Sequence, residues 1–325
     1  MSVLVLGASG FVGGALLPAL LAAGESVRAA SRRRVRDDRV GLEWVECDVH
    51  MPDTLAAVFT GVECVYYLVH SMGGRRQDFR AAERRCAEAV ARIAAESGCR
   101  RIVYLGGVEP AGPPSEHLGS RLEVGAILRA GSVPALELRA AMIVGNGSAS
   151  WQILRDLALR LPFMVLPRWL ESKSCPIALQ DVVGALLDAR RVALDRGAWF
   201  DIPGPEVLSA REMLMIVGAL EGRHIPTVHV PFLTPRLSAG WLKLISSADY
   251  GVARELVLGL KEDLLPRDGR YWELTGAGPR WSFRRAAKDA LDSPLRQPGL
   301  SGWLGRREED AIRRFGRRSA DIPPV

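Results

Sequence analysis

The segment SVLVLGASGFVGGALLPALLAAG, residues 2 to 24, constrains the fold more than any other. A short apolar run leads straight into Gly7, Gly10 and Gly13, and a long apolar stretch follows. Glycines at that spacing between a strand and a helix allow a tight turn and close backbone packing. They also leave the positive helix end, with its free N–H groups, open to an anion. Pro18 falls inside the predicted helix, where its missing N–H predicts a bend or a break.

Similar strand-like runs recur at SVRAA (26–30), LEWVECD (42–48), VECVYYLVH (62–70), RIVYLGG (101–107) and ALELRAAMIVG (135–145), with helical stretches between them. Strands alternating with helices predict an α/β fold, a parallel sheet covered on both faces. In FRAAERRCAEAVARIAAESG, apolar Ala82, Cys86, Val90 and Ile93 stand at helical spacing and Gly98 supplies the stop. Beyond residue 150 the pattern loosens. IALQDVVGALLDARRVAL and AWFDIPG predict a helix and a strand returning to the sheet. LSAREMLMIVGALEG predicts a helix and IPTVHVPF a strand. LTPRLSAGWLKLISS and GVARELVLGLKEDLL predict two amphipathic helices, the first with Leu237, Trp241, Leu244 and Ile245 on one stripe. The expected organisation is a dinucleotide-binding domain over 1–150, rejoined by 176–203, and a smaller C-terminal substrate-side region over 151–325. Half of the last 20 residues are charged, which predicts partial disorder.

With 325 residues, 48% of them hydrophobic, the chain can bury a full core. Its net charge of +6 comes from arginine clusters interleaved with acids, a pattern that favours local anion binding over nucleic acid. The five cysteines, Cys47, Cys64, Cys86, Cys99 and Cys175, lack ligand spacing, so they predict neither a disulfide framework nor a metal site. No uncharged apolar run approaches the ~20 residues of a membrane span. Together these features give a cytoplasmic expectation.

The glycine turn, read as Gly7, Ser9, Gly10, Phe11, Val12 and Gly13, has the spacing GxxGxxG, a relative of the dinucleotide fingerprint. The turn without a ligand is the plain alternative. At the end of the second strand, an acid would hold the ribose 2′-hydroxyl of NAD, but the chain has Ser31 and Arg32, followed by Arg33 and Arg34. Guanidinium groups pair with phosphate in a fixed fork, so NADP(H) is preferred over NAD(H), against the alternative of a solvated basic loop. Topology places Asp48 and Val49 at the adenine edge.

These motifs carry a resemblance. GASGFVG, SRR, CDV, YYLVHSM and LRAAMIVG together resemble the atypical short-chain dehydrogenase/reductases of the NmrA-like, NAD(P)H-binding branch, over roughly the first 220 residues. The resemblance implies a Rossmann-type doubly wound sheet and places Leu68, Val69 and His70 beside the ribose and nicotinamide half of the cofactor. It also implies a serine after the fifth strand and a Tyr-x-x-x-Lys motif on the next helix. This chain has Gly106 and Gly107 in place of the serine, and His117 and Arg121 at the Tyr and Lys spacing.

His117 is expected to stand in as proton donor, because an imidazole near pKa ~6.5 exchanges protons at neutral pH. A cation at Arg121 would lower that value and keep the ring neutral, while holding a hydroxyl, phosphate or carboxylate. Ser115 is a cap candidate, and the plain alternative is a solvated surface helix. His70 and Ser71 are second candidates, while Arg139 and Asp181 look structural. Phe163, Met164, Trp169, Phe232 and Trp241 offer either core or an apolar pocket. The leading expectation is an NADPH-dependent oxidoreductase acting on an apolar carbonyl or quinone-like small molecule. The alternatives are a non-catalytic NAD(P)H-binding redox sensor or assembly protein that docks on a protein partner, and an epimerase or isomerase with a retained cofactor.

Overall fold

The computed structural model describes residues 2–69, 79–160, 164–166, 168–223, 227–229, 262–278 and 280–293. Seven strands form one parallel sheet: β1 (Ser2–Leu6), β2 (Ser26–Ser31), β3 (Leu42–Glu46), β4 (Cys64–Tyr67), β5 (Arg101–Gly107), β6 (Ala135–Ala140) and β7 (Ala198–Asp201). Their order across the sheet is β7-β6-β5-β4-β1-β2-β3, so the winding reverses between β1 and β4. In open parallel sheets a ligand crevice forms outside the strand C-termini at such a reversal.

Alternation along each strand sends one set of side chains to each face. Val3, Val5, Tyr66, Val103, Leu136 and Leu138 pack under α1 (Phe11–Ala22) and α6 (Leu179–Ala189). Leu4, Leu6, Val65, Tyr67, Ile102 and Tyr104 pack under α2 (Pro52–Val58), α3 (Phe79–Glu96) and α4 (Glu116–Ala130). Two buried tyrosines seat α6 on the first face: the Tyr66 hydroxyl donates to the Leu186 carbonyl at 2.9 Å, and that of Tyr271 to the Ala185 carbonyl at 2.6 Å.

Helix α3 buries Ala82, Cys86, Val90 and Ile93 as its spacing predicts, and the chain turns at Gly98 with φ +71°. Pro18 does not break α1. It is exposed, and its missing N–H would have paired with the carbonyl of Gly14, so the lost bond falls on the wet side of the helix. ALELRAAMIVG is two strands rather than one. β6 ends at Ala140, the last residue paired to β5, and the chain then leaves the sheet so that Ile143–Val144 pairs with Ile177–Ala178.

A third cluster joins α5 (Ala149–Arg160), α7 (Ala210–Leu220) and α9 (Phe283–Asp292), while the short α8 (Tyr271–Thr275) lies with the α1/α6 face. All five cysteines are buried free thiols. No described helix is long and apolar enough to cross a membrane. The helix expected over LTPRLSAGWLKLISS, most of that over GVARELVLGLKEDLL and the charged C-terminus lie outside the described residues; the last four residues of the second segment, 262–265, are not helical, and Leu264 instead bridges to Ser174.

Candidate functional site

Each glycine of the turn has its own steric reason. Gly7 holds φ +88°, and a Cβ there would lie 2.8 Å from the carbonyl carbon and oxygen of Leu68. The turn therefore crosses directly over the end of β4. At Gly10 the N–H bonds the Gly7 carbonyl at 2.9 Å. A Cβ on Gly13 would lie 2.3 Å from the Gly7 oxygen, so α1 can start against β1 only without a side chain at that position. Gly10 is the N-cap, no side chain caps it, and no acid stands in the first turn. The N–H groups of that turn have no partner within the helix, and together with the helix dipole they make an anion seat. Ser9 is exposed in the turn, Val12 packs on the core, and the Phe11 ring lies against Gly145 and Gly147. The pyrophosphate of a dinucleotide fits this cradle, because the volume a Cβ would fill is what brings the backbone close.

The neighbouring strand ends complete one edge. Ser31 is buried, and its hydroxyl accepts the Arg33 N–H at 3.2 Å. The Cys47 N–H bonds the Ser31 carbonyl at 2.9 Å, which brings Asp48 and Val49 alongside. Asp48 Oδ1 accepts the His50 N–H at 3.0 Å, and Val49 is buried. Leu68 bonds the Leu6 carbonyl at 2.9 Å, and it and Val69 pack on opposite faces of the sheet. His70 and Ser71 lie outside the described residues.

Arg32, Arg33 and Arg34 are exposed and make no ion pair among the described residues. The nearby Asp37 does not neutralise them. It is held by Arg39 at 3.0 and 2.7 Å and by the Trp44 indole at 3.2 Å, and these bonds keep its carboxyl below the usual range. The three residues that follow β2 are thus exposed arginines, while Glu46 stands across from Ser31 on β3.

Helix α4 carries the candidate catalytic pair. Ser115 caps it, accepting the Leu118 N–H at 3.3 Å. The His117 ring stacks on Phe79 of α3, with centroids 6.1 Å apart and planes at 19°. Burial, and then the charge of Arg121, push its pKa down to about 4. The direction is the one expected from a cation at Arg121, with burial as the larger cause: His117 is neutral at pH 7, able to donate a hydrogen bond but not an imidazolium proton. Arg121 turns to the sheet instead, with Nη2 donating to the Leu105 carbonyl at 2.8 Å while the Tyr104 hydroxyl donates to the Arg121 carbonyl at 3.1 Å.

A pH dependence of stability follows. Because the folded-state pKa lies below the usual 6.5, the unfolded chain binds more protons than the folded one between about 4 and 6.5. The His117 contribution is therefore intact above 6.5 and falls away as the pH drops toward 4. Urea unfolding at pH 7 and pH 5 should show a loss for the parent that His117→Asn reduces; an identical loss in both would contradict the burial of this ring.

The glycines at the end of β5 have reasons that the sequence did not show. A Cβ on Gly107 would lie 2.6 Å from Leu118 Cδ1, and a Cβ on Gly106 would lie 2.6 Å from Glu137 Oε1. Glu137 and Arg139, both buried in β6, were legible only as an unusual E-L-R in a strand that must be buried on both faces. Arg139, read as structural, is so: it pairs with Glu137 at 3.0 Å and lies 4.2 Å over the Trp199 ring. Asp181 accepts the Trp281 N–H at 2.9 Å. Of the possible apolar pocket, Phe163, Phe232 and Trp241 lie outside the described residues, and the side chains of Met164 and Trp169 are not described.

Strand order, glycine turn and reversal point define a Rossmann-type α/β fold. Residues 3–127 match the model of the NAD dependent epimerase/dehydratase family. No protein of curated function matches the sequence. Among solved structures, a nucleoside-diphosphate-sugar epimerase from Staphylococcus aureus is similar at 14% identity and TM-score 0.72, over 89% of this chain and 100% of that one. UDP-glucose 4-epimerase from Thermotoga maritima, with UDP-glucose, is similar at 15% identity and TM-score 0.67, over 89% and 97%. UDP-glucuronic acid 4-epimerase from Bacillus cereus, in complex with NAD, is similar at 13% identity and TM-score 0.66, over 97% and 100%. At these identities the likeness is one of fold.

Proposed function

We propose that this chain is an NADPH-dependent oxidoreductase of the atypical short-chain dehydrogenase/reductase type, with an apolar carbonyl or quinone-like substrate. The observation that carries the reading is the glycine turn, whose three close backbone approaches and uncapped helix end suit a pyrophosphate. Gly7, Ser9, Gly10, Phe11, Val12 and Gly13 hold that group, Asp48 and Val49 border the adenine, and Leu68, Val69 and His70 border the ribose and nicotinamide. Ser31 and Arg32 take the 2′-phosphate, and the exposed arginines directly after β2, in place of an acid, support NADP(H) over NAD(H). When bound, the nicotinamide supplies hydride transfer. His117, neutral, donates a hydrogen bond to the substrate oxygen, and Arg121 sets the charge and position of that contact. Region 151–325, apart from the return at 176–203, provides the substrate side.

Arg32→Ala tests the cofactor choice. It should weaken NADPH binding at least ~10-fold, or ~1.4 kcal/mol, and leave NADH binding unchanged. An equal effect on both dinucleotides would remove Arg32 from 2′-phosphate recognition. In an acceptor screen, His117→Ala should lower turnover with little change in NADPH affinity.

A second reading follows from the solved neighbours, several of which are named as epimerases of nucleotide sugars. In that reading the chain retains its cofactor through an epimerisation. NAD(P) that stays with the protein through gel filtration favours it, and a cofactor-free protein favours the reductase.

A further inference from the structure

The Glu137 carboxylate occupies a notch made by two glycines from different elements. A Cβ on Gly106 of β5 would lie 2.6 Å from Oε1, and a Cβ on Gly125 of α4 would lie 2.4 Å from the carboxylate carbon. The side chain is 1% exposed and is held from both sides, by Arg129 of α4 at 2.9 Å and by Arg139 of β6 at 3.0 Å. A buried carboxylate between two guanidiniums has a narrow choice of positions, because losing either partner leaves an uncompensated charge. The spacing between α4 and β5 is set at this contact. Arg121, one helical turn before Gly125, reaches Leu105, the residue before Gly106, so both ties span the same pair of elements.

We infer that Glu137 is a positioning residue: wedged between Gly106 and Gly125, it fixes the distance of α4 from β5 and so the placement of His117 and Arg121 at the sheet edge. The functional meaning rests on the proposal that α4 carries the reacting contacts. The wedge also accounts for the absent serine, because the volume a side chain at position 106 would need is already filled by Glu137.

The test uses the imidazole resonance of His117 in the full chain, assigned by its disappearance in His117→Gln. Gly125→Ala adds a methyl group inside the notch without changing any charge. It should lift α4, expose the ring and raise the His117 pKa by about one unit or more. Glu137→Asp in the same chain withdraws the carboxylate by one methylene and should return the value toward that of the parent. Independent structural damage would add rather than cancel. If Gly125→Ala does not fold, recovery of a folded protein in the double variant is the expected result. A folded Gly125→Ala with an unmoved His117, or a double variant worse than the single, overturns the inference. A parent protein that binds no dinucleotide would sink the proposed function and leave this readout intact.

Discussion

Gly13→Ala should abolish measurable dinucleotide binding and destabilise the protein by about 1–3 kcal/mol, the usual cost of overpacking. The added methyl group would sit 2.3 Å from the Gly7 oxygen and 2.9 Å from the Ala8 Cα, both backbone atoms that cannot rotate away. Helix α1 would have to slide off β1, carrying its uncapped N–H groups from the position where they face the turn. Gly14→Ala is the matched control. Its Cβ would meet only the Ala8 oxygen at 3.7 Å, an ordinary contact, so binding should persist. Urea unfolding and nucleotide titration of the two variants check this. Equal behaviour of both would mean that the close approach at Gly13 is not needed.

The second large effect is expected at Glu137. Glu137→Leu leaves Arg129 without its carboxylate and Arg139 with only the more exposed Glu109, 3.5 Å away, and breaking a buried pair in this way costs about 3–5 kcal/mol. Removing Arg139 as well, in Glu137→Leu/Arg139→Leu, should cost less than the sum of the single losses, because the second change relieves the charge stranded by the first. By contrast, the Arg28–Glu43 pair is held at 3.1 Å with a Glu43 side chain 63% exposed, and Glu43→Gln should shift stability by less than about 1 kcal/mol. Denaturant midpoints for these variants measure the differences. Strict additivity at positions 137 and 139 would contradict the coupled network.

The parallel sheet and its glycine turn were legible because their signals are local. A β-branched run followed by glycines at fixed spacing specifies a strand, a turn and a helix within about 20 residues. The stripe of α3 was legible for the same reason. What could not be read depended on residues far apart in the chain. Gly106 looks like a lost serine until Glu137, 31 positions later, is seen filling its space. The lowering of the His117 pKa by Arg121, four residues on, was legible, but its larger cause, the burial of a ring stacked on Phe79 of another helix, was not. The split of residues 135–145 into two strands also needed a distant partner, Ile177–Ala178, to draw the chain away from the sheet. Arg32 was legible as a basic residue, but the occupation of Asp37 by Arg39 and Trp44 became visible only in three dimensions.

In the proposed function, the glycine turn and the arginines after β2 form a dinucleotide site that selects the 2′-phosphate. A fluorescence titration of the purified chain with NADPH and with NADH at physiological salt tests it most directly. The expected result is saturable binding of both, with NADPH at least ~10-fold tighter, ~1.4 kcal/mol in its favour. A folded protein that binds neither nucleotide would make the turn purely structural and rule out the dinucleotide site.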